Sequence, residues 1–465
     1  MSAPAERSPG AYPRDANREV AAPPSLGAAP VSSSRRSPAP CVRELPDGAR
    51  ILAGNAGDHP LVLQLLVETQ QAALTEDFQS RLDEPSYRPS DRLLVQRHKS
   101  LVAHVRLAHH IGCFDGQRVP LVQLHDLVSL PQYGQAEYDC HLLEAAESIA
   151  TDEGAVLGVV HAERPAPFQS AGWSLIRAQG HTRASARGVL AHLDAQEAAR
   201  RRRRRPAIEV RTWRHFELDA IRSIYDQATA PLWGALRRTE ATWQWLVGRK
   251  AQDLMLVAVQ RDAATDDEQI VGYAAMRGSC IVELMTLPDD GAARVHLVAR
   301  ACREAMDRDH QGISLYTPAA DPLHELLVTA GGQWISDAVA SGPRWLMRLF
   351  APAKWGERFF TLWHERARVA RIERPFDLGI DLGDERWRFT LTRRSARVAP
   401  TRDLPARWIR CDRPTMDSLL LGNLAPTAAL TRGQMRLSDA DLAVPLAAVF
   451  APRLFWQSAL EWMRL

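Results

Sequence analysis

The chain contains 465 residues, of which 46% are hydrophobic and 24% charged, and its formal net charge is +3. This length is enough for about three domains of ~150 residues, and the composition is typical of a globular protein. The six cysteines lack the close spacing of zinc sites, and we expect no bound metal. No apolar run approaches the ~20 residues of a membrane span, and the first residues lack a secretory signal. We therefore expect a cytoplasmic protein without affinity for membranes or, given the small net charge, for nucleic acid.

Residues 1–45 are rich in Pro, Ala, Ser and Arg and contain few large apolar side chains, which predicts a disordered tail. Residues 46–198 follow with alternating strand and helix patterns, which predict an α/β domain with a mixed sheet. In this domain a buried strand at 121–129 continues through a short Pro/Gly turn into an amphipathic helix. Such a loop commonly binds phosphate, because its N–H groups and the helix dipole both face the anion.

Six consecutive arginines, Arg200–Arg205, end a charged segment. A run of this kind can bind nucleic acid through phosphate contacts. No aromatic or structured basic motif accompanies it, however. We therefore interpret residues 199–206 as an exposed linker between two domains.

The pattern of the first domain begins again in residues 207–342. The segment 129–136 aligns with 286–293, and the same offset aligns the strand that follows in each half. A shared offset over strand, turn, helix and strand predicts an internal duplication of one fold. Residues 343–465 have a different pattern, with an early helix, several short strands and an aromatic C-terminus, and they predict an α+β third domain.

In their order and spacing these segments resemble the GCN5-related N-acetyltransferase (GNAT) superfamily, and within it the enhanced intracellular survival (Eis) type. The resemblance covers nearly everything from Ala49 onward. It implies the fold class α/β (α+β): two tandem GNAT folds with mixed sheets, the second without a cofactor site, followed by an α+β sterol-carrier-protein-like domain. It depends on five segments, namely 127–131, 168–173, 236–243, 416–422 and 448–450.

The resemblance also implies acetyl-CoA as cosubstrate, without a metal. In this family two strands splay apart, the pantetheine pairs with the strand before the loop, and the pyrophosphate lies on the loop and the helix N-terminus. On this basis the pantetheine would contact Leu127, Val128 and Ser129. The pyrophosphate would contact three residues of the loop and helix, Gly134, Gln135 and Ala136.

Two features of this chain differ from the family pattern. The loop 132–136 is one residue short, and no Lys or Arg occurs in 121–147, while Glu137 and Asp139 crowd the start of the helix. The family's catalytic tyrosine follows the fifth strand, and here Trp173 stands at the corresponding position. An indole cannot protonate a thiolate, because its N–H is only a hydrogen-bond donor. Trp173 could instead line the acceptor pocket or belong to the core.

The remaining catalytic candidates follow from their positions. His125 lies on the strand beside the cleft, and His161 and Glu163 lie at the end of the next strand. Each could act as a base or be an ordinary structural residue. In the Eis type the terminal carboxylate reaches the active site, which would place Leu465 there, although the ending of this chain lacks the usual acidic-aromatic pattern.

We therefore expect an N-acetyltransferase that transfers acetyl from acetyl-CoA to a primary amine of a small molecule or peptide. Glu76, Asp77 and Phe78 would lie near the acceptor, and the two acidic side chains suit a cationic amine. They could equally be ordinary acids of a helix surface. The alternative is a degenerate GNAT protein that acts in binding or assembly, and a homo-oligomer is possible in either case.

Overall fold

The computed structural model describes residues 41–69, 75–133, 135–176, 180–199, 208–261, 267–288, 290–336 and 342–463. Most of the predicted tail and the run Arg200–Arg205 lie outside these ranges. The last residues of the predicted tail do not: Cys41–Glu44 pairs with the following strand, and Leu45 is buried. The folded part therefore begins by Cys41 and not at residue 46.

The elements of the first stretch of chain alternate between strand and helix. They are β1 (Cys41–Glu44), β2 (Arg50–Ala53), α1 (His59–Glu68), α2 (Thr75–Leu82), β3 (Arg92–Arg97), β4 (Ser100–Phe114), β5 (Gln117–Ser129), α3 (Gln135–Asp152), β6 (Leu157–Ala162), α4 (Ala166–Ser170), β7 (Ser174–Leu175), β8 (Gly180–Ser185) and α5 (Ala186–Ala199).

The second stretch repeats this alternation. Its elements are β9 (Ile208–Thr212), α6 (Leu218–Thr229), β10 (Trp233–Leu236), α7 (Glu240–Gly248), β11 (Leu254–Arg261), β12 (Glu268–Arg277), β13 (Cys280–Thr286), α8 (Gly291–Asp307), β14 (Gly312–Leu315), α9 (Pro322–Thr329), β15 (Gln333–Ser336) and β16 (Arg344–Leu349).

The third stretch is a small sheet with short helices. Its elements are α10 (Pro352–Arg358), α11 (Phe360–Val369), β17 (Phe376–Asp381), β18 (Arg386–Leu391), β19 (Ala396–Pro400), β20 (Trp408–Cys411), α12 (Arg413–Leu420), α13 (Pro426–Thr431), β21 (Met435–Leu437), α14 (Ala443–Val449) and α15 (Ala459–Trp462).

The two large sheets have the same topology. The first has the order β1-β2-β3-β4-β5-β6-β16-β7, with β10 also paired to β4, and the second has the order β15-β8-β14-β13-β12-β11-β9. Counted from β2 in the first sheet and from β9 in the second, the first four strands are antiparallel to their neighbours. The fourth and fifth strands are parallel to each other, and the sixth and seventh are antiparallel again. The internal duplication predicted from the aligned segments is therefore visible in the strand order.

Each half of the chain contributes one strand to the sheet of the other half. β8 follows β7 in the chain but pairs with β14 and β15 in the second sheet. β16 follows β15 in the chain but pairs with β6 and β7 in the first sheet. The domain boundary expected at residue 198 thus does not coincide with the boundary between the two sheets. β8 and nearly all of α5 come before residue 198 in the chain but pack in the core of the second sheet. Each sheet is complete only when the other half of the chain contributes its strand.

The third stretch packs against the end of the first sheet. Its five-stranded sheet has the order β19-β18-β17-β20-β21, and one continuous apolar core joins it to β4, β6 and β16. Aromatic side chains fill this core, with the Trp355 and Phe359 ring centroids only 4.1 Å apart. The last helix, α15, instead inserts into the core of the second sheet, where Leu460 packs with residues of α6 and α7. No helix in the described ranges is long and apolar enough to cross a bilayer.

Candidate functional site

The parallel strands β5 and β6 separate after the pair Leu124 and Val160. The cause is a bulge in β5. On β4, His104 pairs with Val128 and Arg106 pairs with His125. One residue of β4 therefore lies opposite two residues of β5, Asp126 and Leu127. Asp126 has a positive φ of 54°, and a bulge of this kind bends its strand away from the sheet. The β6-facing side of β5 therefore has no strand partner beyond Leu124 among the described residues.

A buried histidine holds the bulge in place. His104 is fully buried, its Nδ1 lies 3.0 Å from the Asp126 carbonyl oxygen, and its Nε2 lies 3.1 Å from Nη1 of Arg92. Burial, and then the Arg92 charge, lower the pKa of His104 to about 3. The imidazole is thus neutral: Nδ1–H donates to the carbonyl, and Nε2 accepts from Arg92.

A cavity of about 260 Å³ opens where the strands separate. α2 forms one side of it and the C-terminal segment another, and α1 and α2 pack over the same face of the sheet. The strand residues in its wall include the bulge and the end of β6. The polar and aromatic side chains that line it include Asp77, Arg81, Arg92, Arg106, Gln123, His125, Asp126, His161, Glu163, Arg164, Trp345 and Trp462.

A row of polar side chains crosses the sheet at this level. Arg92 pairs directly with Arg106, and Arg106 pairs directly with His125, which puts all three on one face. His161 pairs with Trp345 on the other side of the gap, and the two rings stack with centroids 4.6 Å apart. The sequence analysis placed His125 beside the cleft and His161 at the end of the next strand, and both line the cavity.

His125 is a weak base in this environment. Burial, and then the charges of Arg106 and Arg81, lower its pKa well below the ordinary value. Asp126 is affected by the same field: burial raises its pKa, but the surrounding positive groups, led by Arg106 and Arg92, together lower it by more. A neutral imidazole and an ionised carboxylate therefore face the cavity side by side.

The predicted cofactor residues are in different environments. Leu127 lines the cavity and its carbonyl oxygen faces the gap, whereas Val128 is buried against α1 and α2. Ser129 is buried and donates to a carboxylate oxygen of Asp139 at 2.6 Å. Gly134 lies outside the described residues, Gln135 begins α3, and Ala136 is exposed in its first turn.

Asp139 does not crowd the helix start. It is 1% exposed in the second turn of α3, and its carboxylate faces inward to Ser129. Burial raises its pKa. The other carboxylate oxygen has no hydrogen-bond partner in the described ranges and lies 3.7 Å from Nη1 of Arg164. The exposed acid at this helix end is therefore Glu137.

Arg164 supplies the cation that the loop motif lacks. It follows β6, and its Nη2 donates to the Leu127 carbonyl oxygen at 3.1 Å. Its guanidinium thus bridges the gap between the separated strands and the first turns of α3. The sequence analysis missed this residue, because it searched for a cation only within 121–147.

The interpretation of Trp173 as a pocket residue is not supported. Trp173 is 2% exposed and packs between Phe168 and Phe350 under α3. Its indole Nε1 donates to Glu147 at 2.9 Å, and Arg348 pairs with the other oxygen of that carboxylate. The side chain does not line the cavity, so it belongs to the core, which was the other interpretation.

The C-terminal segment closes the cavity. Trp462 and Met463 line it, whereas Leu465 lies outside the described residues. Just before them, Glu461 accepts from Arg238 at 2.8 Å, and Arg238 also forms two hydrogen bonds to Glu283. Burial and the neighbouring Glu283 raise the pKa of Glu461 to about 7, although Arg238 opposes this shift. This buried network fixes the segment beside the site.

The duplication provides an internal comparison. The alignment of the two halves places Glu283 at the position of Asp126. In the second half this carboxylate is buried and bound by both terminal nitrogens of Arg238 and by the Tyr273 hydroxyl. In the first half Asp126 faces the cavity, and no cationic nitrogen of a described residue lies within 4.0 Å of its carboxylate. The same fold position is therefore closed by an ion pair in one half and open in the other.

No protein-family model matches the sequence, and no curated protein matches it either. Solved structures with a similar fold include a protein of unknown function from Enterococcus faecalis V583, described as a probable N-acyltransferase, with 12% identity and a TM-score of 0.66. Others are a GCN5-related N-acetyltransferase from Kribbella flavida (14%, 0.62) and Eis1 from Mycobacterium abscessus (14%, 0.59). Each match covers 88% of this chain and 99% of the other. The chain therefore has the GNAT fold, as the sequence analysis expected.

Proposed function

We propose that this protein is an Eis-type N-acetyltransferase that transfers acetyl from acetyl-CoA to a primary amine. One observation carries the proposal: in a GNAT fold, β5 and β6 separate at the Asp126–Leu127 bulge and open onto a polar cavity. The third stretch acts as the sterol-carrier-like partner of this cleft. Its core is continuous with the first sheet, and the C-terminal segment that follows it closes the cavity.

The residues at the gap fit acetyl-CoA. Within the described part of the chain β5 has no strand partner on the β6 side beyond Leu124, so its backbone is available to the amide groups of pantetheine. The hydrogen bond from Arg164 demonstrates that the Leu127 carbonyl accepts a donor from within the gap. α3 directs its N-terminus to the same end of the cleft, and Arg164 provides a cation there for the phosphates.

The thioester supplies the acyl group, and the chain supplies positioning and proton transfer. The acceptor amine must lose a proton to attack. The ionised carboxylate of Asp126 and the neutral imidazole of His125 are the acceptors that face the cavity beside Leu127. We assign proton uptake to Asp126, directly or through water, because its ionised carboxylate lines the cavity beside Leu127 and no cationic nitrogen of a described residue lies within 4.0 Å of it. No tyrosine is among the residues that line the described cavity, so the thiolate receives its proton from water.

A second candidate function is binding or assembly without catalysis. The observation that favours it is the Arg164 side chain, which occupies the Leu127 carbonyl that pantetheine would use. If acetyl-CoA does not displace this hydrogen bond, pantetheine cannot pair with β5 and the cleft does not bind the cofactor.

A ligand-induced change in thermal stability separates the two. Acetyl-CoA at 100 times its dissociation constant stabilises a folded protein by about 2.7 kcal/mol. ATP is the matched control, because it carries phosphates and adenine but no pantetheine. We expect a shift with acetyl-CoA, a smaller one with ATP, and thiol release when amines are added. If millimolar acetyl-CoA causes no change in thermal stability, the proposed acetyl transfer is overturned and a role in binding or assembly is the remaining candidate.

A further inference from the structure

The wall of the cavity that α2, β3 and β4 form is cationic. Three guanidinium groups line it, those of Arg81, Arg92 and Arg106. Arg92 and Arg106 are 1% and 2% exposed, yet Nη2 of Arg92 and Nε of Arg106 have no hydrogen-bond partner among the residues that the structure describes. Buried donors of this kind are uncommon in native proteins and call for a partner.

Arg92 is the least compensated of the three. Arg106 pairs with Glu84 at 3.0 Å, and Arg81 lies 3.9 Å from Asp77. Arg92 bonds instead to the Tyr87 hydroxyl and to neutral His104, and its guanidinium lies 4.8 Å from the centre of the Phe78 ring. Among the described residues, no carboxylate oxygen lies within 4.0 Å of its nitrogens. A buried guanidinium without a paired carboxylate favours a bound anion.

The sequence analysis left open whether Asp77 serves a cationic acceptor or is an ordinary acid of a helix surface, and in the structure an arginine pairs with it. Its carboxylate accepts from Arg249 at 2.8 Å, and Arg249 is itself buried. Glu76 is exposed and does not line the cavity. Four guanidinium groups line the cavity, those of Arg81, Arg92, Arg106 and Arg164, and three carboxylates do, those of Asp77, Asp126 and Glu163. An acceptor with only positive charge is disfavoured at such a wall.

We propose that the acceptor is an amino-acid-like molecule whose carboxylate binds Arg92 and Arg106 while its amine faces Asp126 and the Leu127 end of the cleft. This inference rests on the proposed acetyl transfer. The cavity of about 260 Å³ lies just below the ~300–1,000 Å³ of common ligand pockets. That size fits a free amino acid better than a long polyamine or an oligosaccharide.

Matched acceptors test the proposal on the wild-type protein. Free L-amino acids, including glycine and glutamate, are compared with their C-terminal amides and with the polyamine spermidine. Thiol release from acetyl-CoA gives kcat/KM, and a thermal-shift titration without acetyl-CoA gives binding. We expect at least one free acid to exceed its amide at least tenfold in both assays. Amides or spermidine that equal or exceed every free acid would overturn the proposal.

Two variants and a control locate the carboxylate. Arg92→Gln is expected to remove most of the preference for the acid over the amide, and Arg92→Lys to restore part of it. Arg50→Gln changes an exposed arginine of β2 in the same sheet and should leave the preference unchanged. A preference that survives Arg92→Gln overturns the assignment. If that variant does not fold, the acid–amide comparison on the wild type decides alone.

Failure of the two proposals can be told apart. Calorimetry with acetyl-CoA alone tests the donor site, and the amino-acid thermal shift tests the cationic wall. Acetyl-CoA binding without any carboxylate preference leaves the acetyltransferase and overturns the acceptor class. A thermal shift with amino acids but no binding of acetyl-CoA supports the proposed carboxylate site on the cationic wall and overturns the proposed acetyl transfer.

Discussion

The guanidinium of Arg164 donates to the carbonyl oxygen of Leu127 with an Nη2···O distance of 3.1 Å. This bond crosses the gap where β5 and β6 separate, and the same guanidinium lies 3.7 Å from the inward-facing carboxylate of Asp139. One side chain thus links the strand that would hold pantetheine to the helix that would hold the phosphates. The Arg164 side chain occupies the Leu127 carbonyl, and its positive charge lies near the start of α3.

Arg164→Gln should separate these two effects. We expect the affinity for acetyl-CoA to fall about tenfold, because a charge-assisted hydrogen bond to phosphate is lost. The affinity for acetyl-pantetheine, which has no diphosphate, should stay equal or rise, because the Leu127 carbonyl becomes free. Calorimetry with both ligands measures the effects. Arg43→Gln, which removes an exposed ion pair to Glu144 on α3, is the control. Equal losses for both ligands would contradict the assignment.

Trp173→Phe should act on stability and not on catalysis. The change removes the indole N–H bond to Glu147 and part of a buried ring, so the free energy of unfolding should fall by about 1–3 kcal/mol. The kcat/KM for acceptor should be unchanged, and Trp173→Tyr should not raise kcat. Urea unfolding and steady-state kinetics check both. A changed acceptor KM at unchanged stability would show that the ring does reach the pocket.

His125→Gln should leave the acid limb of the pH–rate profile where it is. Burial and the neighbouring arginines hold the pKa of His125 well below 6.5, so the wild-type ring is neutral at pH 6.5 and above. Any protonation seen in that range belongs to another group. The pH dependence of kcat/KM for both proteins is the measurement. A wild-type limb near pH 6.5 that disappears in the variant would identify His125 as the base after all.

Glu461→Gln should change how stability depends on pH. The folded pKa of Glu461 is raised to about 7 from its ordinary value of 4.5. The neutral form therefore favours folding at low pH, and this contribution is lost as pH rises from about 4.5 to about 7. The glutamine keeps it at all pH values. The free energy of unfolding of the variant relative to wild type should then be about 3 kcal/mol more favourable at pH 8 than at pH 4.

Urea titrations of both proteins at the two pH values measure this difference. The exposed Glu240→Gln is the control and should show none. A relative stability that does not change with pH would mean that Glu461 remains ionised in the folded protein, as a partner of Arg238.

Several features of this protein were readable from local sequence. The strand predicted at 121–129 is the second part of β5, and α3 begins at Gln135 after the Pro/Gly turn. These elements are local because side-chain periodicity and turn residues decide them within a few residues. The duplication was also readable, since two copies of one pattern keep the same offset. Both results depend only on the order of residues along the chain.

Side-chain roles were less readable. Trp173 matches the family position of a catalytic tyrosine in sequence, but its indole faces Glu147 in the core. Asp139 looks like an acid at a helix start, but it faces inward to Ser129. A position in a motif does not define the direction of the side chain, because that direction depends on what packs against it.

Composition and pattern alone thus determined the α/β class and the repeat, and the family resemblance indicated the cleft on β5. Tertiary structure decided that β8 and β16 exchange sheets, because strand pairing joins residues far apart in sequence and local patterns do not specify the partner. It also decided the charge of the cavity. Arg92, Arg106 and His125 belong to three strands and become neighbours only when β3, β4 and β5 pair. The electrostatic field at the site is the sum over these residues, and it exists only in the folded chain.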